Sequence, residues 1–321
     1  MQVITKEAHS PINAAVALLI FNRPDKIKKI LDVLRQVKPE KLLVIADGPR
    51  NHNLNDAKKC AETRALIEKI DWDCHILKNY SESNMGCARR VLTGLDWVFE
   101  QVEEAIILED DCIPELSFFR FCNELLERYK DDERIMSISG QNVQFGRNRT
   151  QWDYYFSRYN HCWGWATWKR AWQHFDYGMT LWPRVRDSGV LEDILQDPHY
   201  AKSWAHTFQL VYENRLDSWA FRWTFACWMQ SGLSILPNVN LVSNIGFGDD
   251  ATHTAEKSIF LGQSTEILRF PLSHPPILVR NSKADDFTQK TLFNYHPRLT
   301  KRVIKKLQKI LGVSTNYSLK S

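Results

Sequence analysis

The sequence has few of the short motifs that identify a function directly. Its 13 glycines form no phosphate-binding loop, because no G-x-G-x-x-G motif follows the first apolar run and no Walker A lysine motif occurs. The seven cysteines are odd in number and include no C-x-x-C pair. A zinc site or a disulfide framework is therefore not expected, and a reducing compartment is.

Charge and hydropathy exclude further classes of protein. The formal net charge is +4 over 321 residues, which gives no reason to expect nucleic-acid binding. No run approaches the roughly eighteen apolar residues of a membrane span. The N-terminus also lacks the pattern of a signal peptide. We therefore expect a cytoplasmic protein, long enough for one large or two modest domains.

One stretch, Ala105 to Asp111, organises the rest of the chain. Four apolar residues lead directly into Glu109, Asp110 and Asp111. The unbroken apolar run predicts a central buried strand, and its C-terminal end is where open α/β sheets bind ligands. Strand alternation would point Glu109 and Asp111 to one side and Asp110 to the other. Adjacent carboxylates require compensation, which a divalent ion, Mn²⁺ or Mg²⁺, would supply; a solvated acidic turn is the alternative.

The first half alternates between apolar runs and amphipathic segments. The predicted strands cover residues 14–21, 41–46, 74–77 and 105–111. This order predicts an α/β fold with a parallel, doubly wound sheet. Polar residues follow the first three strands, namely Arg23, Asp47 and Asn84. Because these strand ends share one edge of the sheet, we expect a nucleotide site there.

The second half is rich in tryptophan, most of it between Trp152 and Trp228. Trp163 and Trp165 flank Gly164, which is typical of rings that line a sugar-binding cleft, and a tryptophan-rich core is an equal alternative. Asp217 precedes Trp219 among aromatic residues. It is a candidate general base, or else it caps the following helix.

The C-terminal third carries two further candidates. His253 follows a stretch of glycines and acids and could complete a metal site, with a structural role as the alternative. The tail after Phe287 is basic and has apolar residues at helical spacing. It predicts an amphipathic helix that lies on an anionic membrane surface or docks on its own domain. The predicted division is an extension at 1–13, a main domain at 14–255 with halves 14–140 and 141–255, and a C-terminal segment at 256–321.

Together these residues resemble the GT-A type glycosyltransferases related to N-acetylglucosaminyltransferase I. The similarity is greatest to the bacterial branch of that group labelled hemolytic-protein-like or family 2-like, and it covers about residues 14 to 255. It depends on the strand with its Glu-Asp-Asp end, Phe21-Asn22-Arg23-Pro24, Asp47 and the Trp-Gly-Trp block. The resemblance implies a GT-A fold, with a mostly parallel central sheet flanked by helices.

The resemblance also implies a role for each candidate residue. Asp111 and His253 would bind the metal, and Asp217 would be the catalytic base. Glu109 and Asp110 would contact the ribose and the donor sugar. The remaining nucleotide contacts would come from Arg23, Asp47, Asn84 and Arg90, and the acceptor contacts from Trp163 and Trp165.

The implied activity is a metal-dependent, inverting transfer of a hexose or an N-acetylhexosamine. The donor would be a nucleoside-diphosphate sugar, with a UDP-sugar expected, and the acceptor a hydroxyl of a glycan or a lipid-linked acceptor in bacterial polysaccharide biosynthesis. The tail would add a peripheral contact with the inner face of the membrane. A non-catalytic carbohydrate-binding protein is one alternative. A sugar-nucleotide nucleotidyltransferase is another, but it would require a glycine-rich basic loop where the chain has Asn22-Arg23-Pro24-Asp25.

Overall fold

A computed structural model describes residues 12–51, 53–246 and 263–293, which form ten strands and ten helices. The strands are β1 Ala15–Ile20, β2 Lys41–Ala46, β3 His75–Tyr80, β4 Glu104–Glu109, β5 Cys112–Pro114, β6 Ile135–Ser139, β7 Tyr154–Ser157, β8 Trp165–Trp168, β9 Leu233–Pro237 and β10 Val242–Asn244. The helices are α1 Pro24–Val37, α2 Leu54–Ile67, α3 Cys87–Gln101, α4 Leu116–Arg128, α5 Lys169–Trp172, α6 Trp182–Val185, α7 Val190–Leu195, α8 Pro198–Tyr212, α9 Trp219–Met229 and α10 Ser282–Leu292.

Eight of the strands form one mixed sheet in the order β3-β2-β1-β4-β8-β6-β9-β7. The pairs β3–β2, β2–β1, β1–β4 and β6–β9 are parallel. The remaining three pairs are antiparallel because β8 runs against β4 and β6, and β7 runs against β9. The α/β class and the mostly parallel sheet are confirmed.

The order of the strands reverses at β1. Strands β2 and β3 extend the sheet to one side of β1, whereas β4 pairs with its other side. Such a reversal leaves a crevice at the carboxyl ends of the two central strands, because the connections that follow them diverge. The crevice lies after Ile20 of β1 and after Glu109 of β4.

Two hydrophobic cores cover the two faces of the sheet. Alternate residues of β1 divide between them: Val16 and Leu18 pack with α1 and α4, and Ala15 and Ala17 pack with α3 and α9. Helix α1 buries the face that carries Ile27, Ile30, Leu31 and Leu34. The result is a sheet between two layers of helices, with its carboxyl edge left open for ligands.

Strand β8 places two of the tryptophans in the core. All four of its residues are buried, and it lies between β4 and β6. Trp165 is 1% exposed and stacks on Trp219 with a centroid distance of 5.5 Å. The prediction that Trp165 lines an acceptor cleft is therefore wrong, because the pairing of its backbone with β4 turns the ring into the core.

The segment from 263 to 293 packs against the main body of the protein. In α10, Asp285 is fully buried and accepts hydrogen bonds from Ser157 and Arg280. Gln144 donates to Thr288 of the same helix. The predicted basic helix of the tail lies outside the described residues. None of the described helices is long and apolar enough to cross a membrane.

Candidate active site

Arg23 joins the two loops that border the crevice. Its Nη1 donates to Oδ1 of Asp110 at 2.8 Å and to Oδ2 of Asp111 at 2.9 Å. The backbone N–H of Phe21 donates to the other oxygen of Asp110 at 3.1 Å. The predicted alternation of the acidic side chains is wrong, because β4 ends at Glu109 and the following turn brings both aspartates to one guanidinium.

Glu109 differs from the two aspartates beside it. Burial and the charges of Asp111 and Asp110 raise the pKa of its carboxyl to about 8, against the opposing effect of Arg23. Burial also raises the pKa of Asp110, although Arg23 lowers it. Among the described residues no donor forms a hydrogen bond with the carboxyl group of Glu109. Its charged form is therefore the least compensated of the three.

The chain after β10 closes the far side of Asp111. Strand β10 pairs with β5, which places Asn244 opposite Cys112. Asn244 Nδ2 donates to Asp111 Oδ1 at 3.4 Å, and the N–H of Ile245 donates to the Asp111 carbonyl at 2.8 Å. A Cβ on Gly246 would lie 2.2 Å from Asp111 Oδ2, so only glycine lets the backbone pass this closely. Asn244 is not among the residues predicted from the sequence.

Asp47 and Asn84 contact each other at the ends of β2 and β3. Asp47 Oδ2 accepts from Asn84 Nδ2 at 3.0 Å, and its Oδ1 accepts from the N–H groups of Gly48 and Met85, each at 2.9 Å. Burial raises the pKa of Asp47, and the bonds from Met85 and Gly48 lower it. The pair fixes the two loops that border the crevice on its β2 side.

Arg90, another predicted nucleotide contact, lies on α3 beneath these loops. Its Nε donates to the carbonyl of Ala46 at 3.2 Å, and its Nη2 donates to the carbonyl and the side chain of Asn79 at 2.5 and 2.7 Å. The residue is buried. Its guanidinium thus ties the carboxyl ends of β2 and β3 together.

Asp217 faces the crevice from the opposite wall. Its Oδ2 lies 3.6 Å from the position that a Cβ on Gly86 would take, at the start of α3. Burial and the nearby charges of Glu109 and Asp217 raise the pKa of the Cys87 thiol, so both carboxylates lie near one thiol. Ser218 rather than Asp217 caps α9, because its hydroxyl accepts the N–H of Phe221 at 3.4 Å. The side chain of Asp217 is exposed.

The two remaining predicted residues have different outcomes. Trp163 is half-buried and packs on the core that contains α1 and α4. It precedes Gly164, which has φ +63° and where a Cβ would lie 2.7 Å from Val242 Cγ2. His253 lies outside the described residues.

The oxygen donors at the crevice are of the type that a hard divalent ion prefers. Glu109 and Asp111 offer carboxylate oxygens, which Mn²⁺ and Mg²⁺ prefer. The glycine cradle at residue 246 keeps side-chain bulk away from Asp111. No group of three or more histidines, cysteines or acids within the described ranges is arranged to hold an ion. Arg23 supplies the positive charge at Asp110 and Asp111.

Comparisons with known proteins give little beyond this geometry. No family model and no curated protein matches the chain. Among 67 matching chains of solved structures is a mannosyltransferase from Pyrobaculum calidifontis in complex with GDP-Man and Mn²⁺, with 15% identity and a TM-score of 0.33. Another is UDP-glucose pyrophosphorylase complexed with UDP-glucose, with 11% identity and a TM-score of 0.28.

The shared regions are partial in both cases. The match to the mannosyltransferase covers 50% of this chain and 46% of that protein, and the match to the pyrophosphorylase covers 46% and 63%. Both TM-scores are below 0.5, so neither likeness adds to what the sheet order and the side chains of this chain show.

Proposed function

We propose that this protein is a divalent-metal-dependent, inverting glycosyltransferase of the GT-A type. It would move a hexose or an N-acetylhexosamine from a nucleoside-diphosphate sugar to a hydroxyl of a glycan or another acceptor. The supporting observation is the run Glu109-Asp110-Asp111 at the point where the strand order reverses, with Asp217 on the opposite wall. Open α/β sheets bind their ligands at such a point.

The donor would occupy the crevice from β2 to β4. Asp47 and Asn84 border it where the base would bind, and Asp110 lies where the ribose would bind. Asp111 would hold the metal, Glu109 would contact the donor sugar, and Arg23 would add positive charge for the diphosphate. A bound Mn²⁺ or Mg²⁺ would supply Lewis-acid stabilisation of the departing diphosphate.

The acceptor would reach the crevice from the side of α9. Asp217 is exposed, so a second substrate can approach it, and its carboxylate would take the proton of the attacking hydroxyl. Attack from the face opposite the leaving group inverts the anomeric carbon. Trp163, which is half-buried, is the aromatic residue proposed to contact the acceptor.

The burial of the tryptophan rings counts against the carbohydrate-binding alternative. A sugar-binding platform requires exposed ring faces. Trp165, Trp219 and Trp223 are at most 5% exposed, and the ring of Trp165 contacts both of the others. The acidic run would also have no role in such a protein.

Thermal-shift titrations test the donor site. UDP, GDP, CDP and TDP are added with and without Mn²⁺ to wild type, to Asp111→Ala and to Asp193→Ala, an exposed control on α7. One diphosphate should raise the melting temperature, because a ligand that binds only the native state stabilises that state by mass action. This rise should occur only when the metal is present. The shift should disappear in Asp111→Ala and persist in the control. If no diphosphate acts with any metal, the acidic run is a structural turn and the proposal is wrong.

A second variant tests the catalytic base. Asp217→Asn should retain the metal-dependent shift and lose about 10²–10⁴-fold in transfer rate, because only the proton acceptor is removed. The rate is measured by release of nucleoside diphosphate. The donors are the sugar nucleotides of the diphosphate that raised the melting temperature in the first experiment. An unchanged rate would assign the base to another residue.

A further inference from the structure

A second cavity lies beside the acidic crevice, between α1 and α2. It encloses about 860 Å³, within the range of roughly 300–1,000 Å³ typical of small-molecule sites. Asp47, Glu109, Asp110 and Asp111 do not line it, whereas Phe21 and Arg23 line the cavity and also donate hydrogen bonds to Asp110 in the crevice. We call it the α1–α2 cavity.

The walls of the α1–α2 cavity carry an excess of positive charge. The cations are Arg23, Lys26, Lys28, Arg50, Lys59 and Lys69, and the acids are Asp25, Asp56 and Glu62. Arg50 Nε pairs with the buried Asp56 at 2.5 Å, and Lys28 lies 3.5 Å from Asp25. Within the described ranges no ion pair engages Lys59 or Lys69. These two lysines therefore leave uncompensated charge along the α2 wall.

The backbone adds to this positive potential. Helices α1 and α2 both begin where a parallel strand ends, so both N-termini lie at the cavity end nearest the crevice. The N-terminus of a helix carries a partial positive charge and unsatisfied N–H groups. The residue that precedes α1, Arg23, makes no side-chain cap, whereas Asn53 caps α2. The lysine side chains contribute full positive charges to the cavity, and the helix ends add partial positive charges.

We propose that the α1–α2 cavity binds a phosphate-bearing ligand, at a site separate from that of the donor nucleotide. A phosphomonoester presents about two negative charges and several acceptor oxygens, which match lysines from both walls of one polar cavity. The crevice is less suited to a metal-free anion, because the guanidinium of Arg23 already bonds to Asp110 and Asp111 there. The ligand is a free phosphomonoester or the headgroup of an anionic lipid, which share this chemistry.

Calorimetry with sn-glycerol 3-phosphate, in EDTA so that no divalent ion is present, tests the free form. Wild type should bind it at one site, and Lys59→Ala/Lys69→Ala should bind about tenfold more weakly, because two charge-assisted contacts are lost. The matched control is Lys29→Ala/Lys202→Ala, which removes the same charge from exposed positions outside the cavity. The control should stay within about twofold of wild type if specific contacts rather than net charge matter.

Vesicles test the lipid source. The same three proteins are mixed with phosphatidylcholine vesicles with and without phosphatidic acid, and co-sedimentation is measured. If only the cavity variant loses binding to phosphatidic acid, the ligand is a lipid headgroup. If wild type binds glycerol 3-phosphate but not phosphatidic acid, the ligand is a free phosphomonoester. The proposal is overturned if wild type binds neither probe, or if the control variant weakens as much as the cavity variant.

A competition experiment separates this site from the donor site. With Mn²⁺ and a saturating nucleoside diphosphate present, glycerol 3-phosphate should still bind. Displacement of one by the other, mole for mole, would place both in one site and overturn the proposal. If no nucleoside diphosphate binds, the proposed transferase activity fails, and the metal-free titration still decides whether the cavity binds phosphate.

Discussion

The two halves of the sheet differ in what their side chains do. In the parallel half, β1 to β4 with α1 to α3, the strands β1, β2 and β4 are mainly aliphatic and polar residues follow them at the carboxyl edge. The aromatic half, β6 to β9 with α5 to α9, has its rings inside: Trp165, Trp172 and Trp223 contact one another with centroid distances of 5.3 to 6.2 Å. Polar residues after buried strands mark the candidate site, whereas the dense aromatic residues mark the core.

A physical asymmetry explains this difference. Adjacent carboxylates at the end of a buried strand are costly unless a cation compensates them, so their presence suggests a ligand or a partner. Aromatic rings gain free energy in a core as readily as in a cleft. Residue type therefore points to a candidate site in the parallel half but not in the aromatic half.

Truncation of a core tryptophan should give the largest effect. Trp165→Ala removes a ring that is 1% exposed and should lower the free energy of unfolding by about 3–5 kcal/mol. Trp163 lies two residues earlier and is half-buried, so Trp163→Ala should lower the free energy of unfolding clearly less. Urea denaturation measures both. A Trp165→Ala protein of wild-type stability would mean that the aromatic half is not a packed core.

Removal of the buried carboxylate in α10 should come next. Asp285→Ala leaves Arg158 and Arg280 without their shared carboxylate and should cost about 3 kcal/mol of unfolding free energy. The neighbouring Asp286 is exposed and pairs with Lys290, so Asp286→Ala should cost less than about 0.5 kcal/mol. Equal losses in the two variants would contradict the buried cluster that ties α10 to β7.

The parallel half is tested by removing the cation of the crevice. Arg23→Ala leaves Asp110 and Asp111 without their shared guanidinium and should lower the free energy of unfolding by about 2 kcal/mol. Mn²⁺ should restore more stability in this variant than in wild type, because an ion can then neutralise the carboxylates. Arg35→Ala, which removes an exposed arginine, should show no such response to metal. If Mn²⁺ does not raise the stability of Arg23→Ala more than that of wild type, the result counts against a metal at this site.

The smallest predicted effect concerns a local signal in the parallel half. Asn53 caps α2 by accepting the N–H of Asn55 at 3.1 Å, and Asn53→Ala should cost about 1 kcal/mol. Asn55→Ala keeps this backbone donor and should change stability little. Thermal denaturation compares them. A loss at Asn55 as large as that at Asn53 would mean that side-chain packing, not the cap, sets the start of this helix.

Much of the parallel half could be predicted from the sequence. The predicted strand at 41–46 has the bounds of β2, and that at 14–21 contains β1 with one extra residue at each end. Such short aliphatic runs, bounded by turn residues, fit buried strands better than helices, which are usually longer. The edge residues Arg23, Asp110 and Asp111 are close together because parallel strands end at one edge.

Features that depend on pairing between distant segments could not be predicted. Strand β8 reads as an aromatic run, and its pairing with β4 and β6 identifies it as a strand. Asn244 reaches Asp111 because β10 pairs with β5, more than a hundred residues earlier. For Asp217 the sequence left two roles open, and the hydroxyl of Ser218 takes one of them.

Arg23 has a thermodynamic consequence because it belongs to two sites at once. Its guanidinium bonds to Asp110 and Asp111, and its side chain also lines the α1–α2 cavity. An anion that draws the guanidinium toward the cavity would change the affinity of the carboxylates for a cation. Linkage makes such an effect reciprocal: whatever factor the cavity ligand imposes on cation binding, the cation must impose on the cavity ligand.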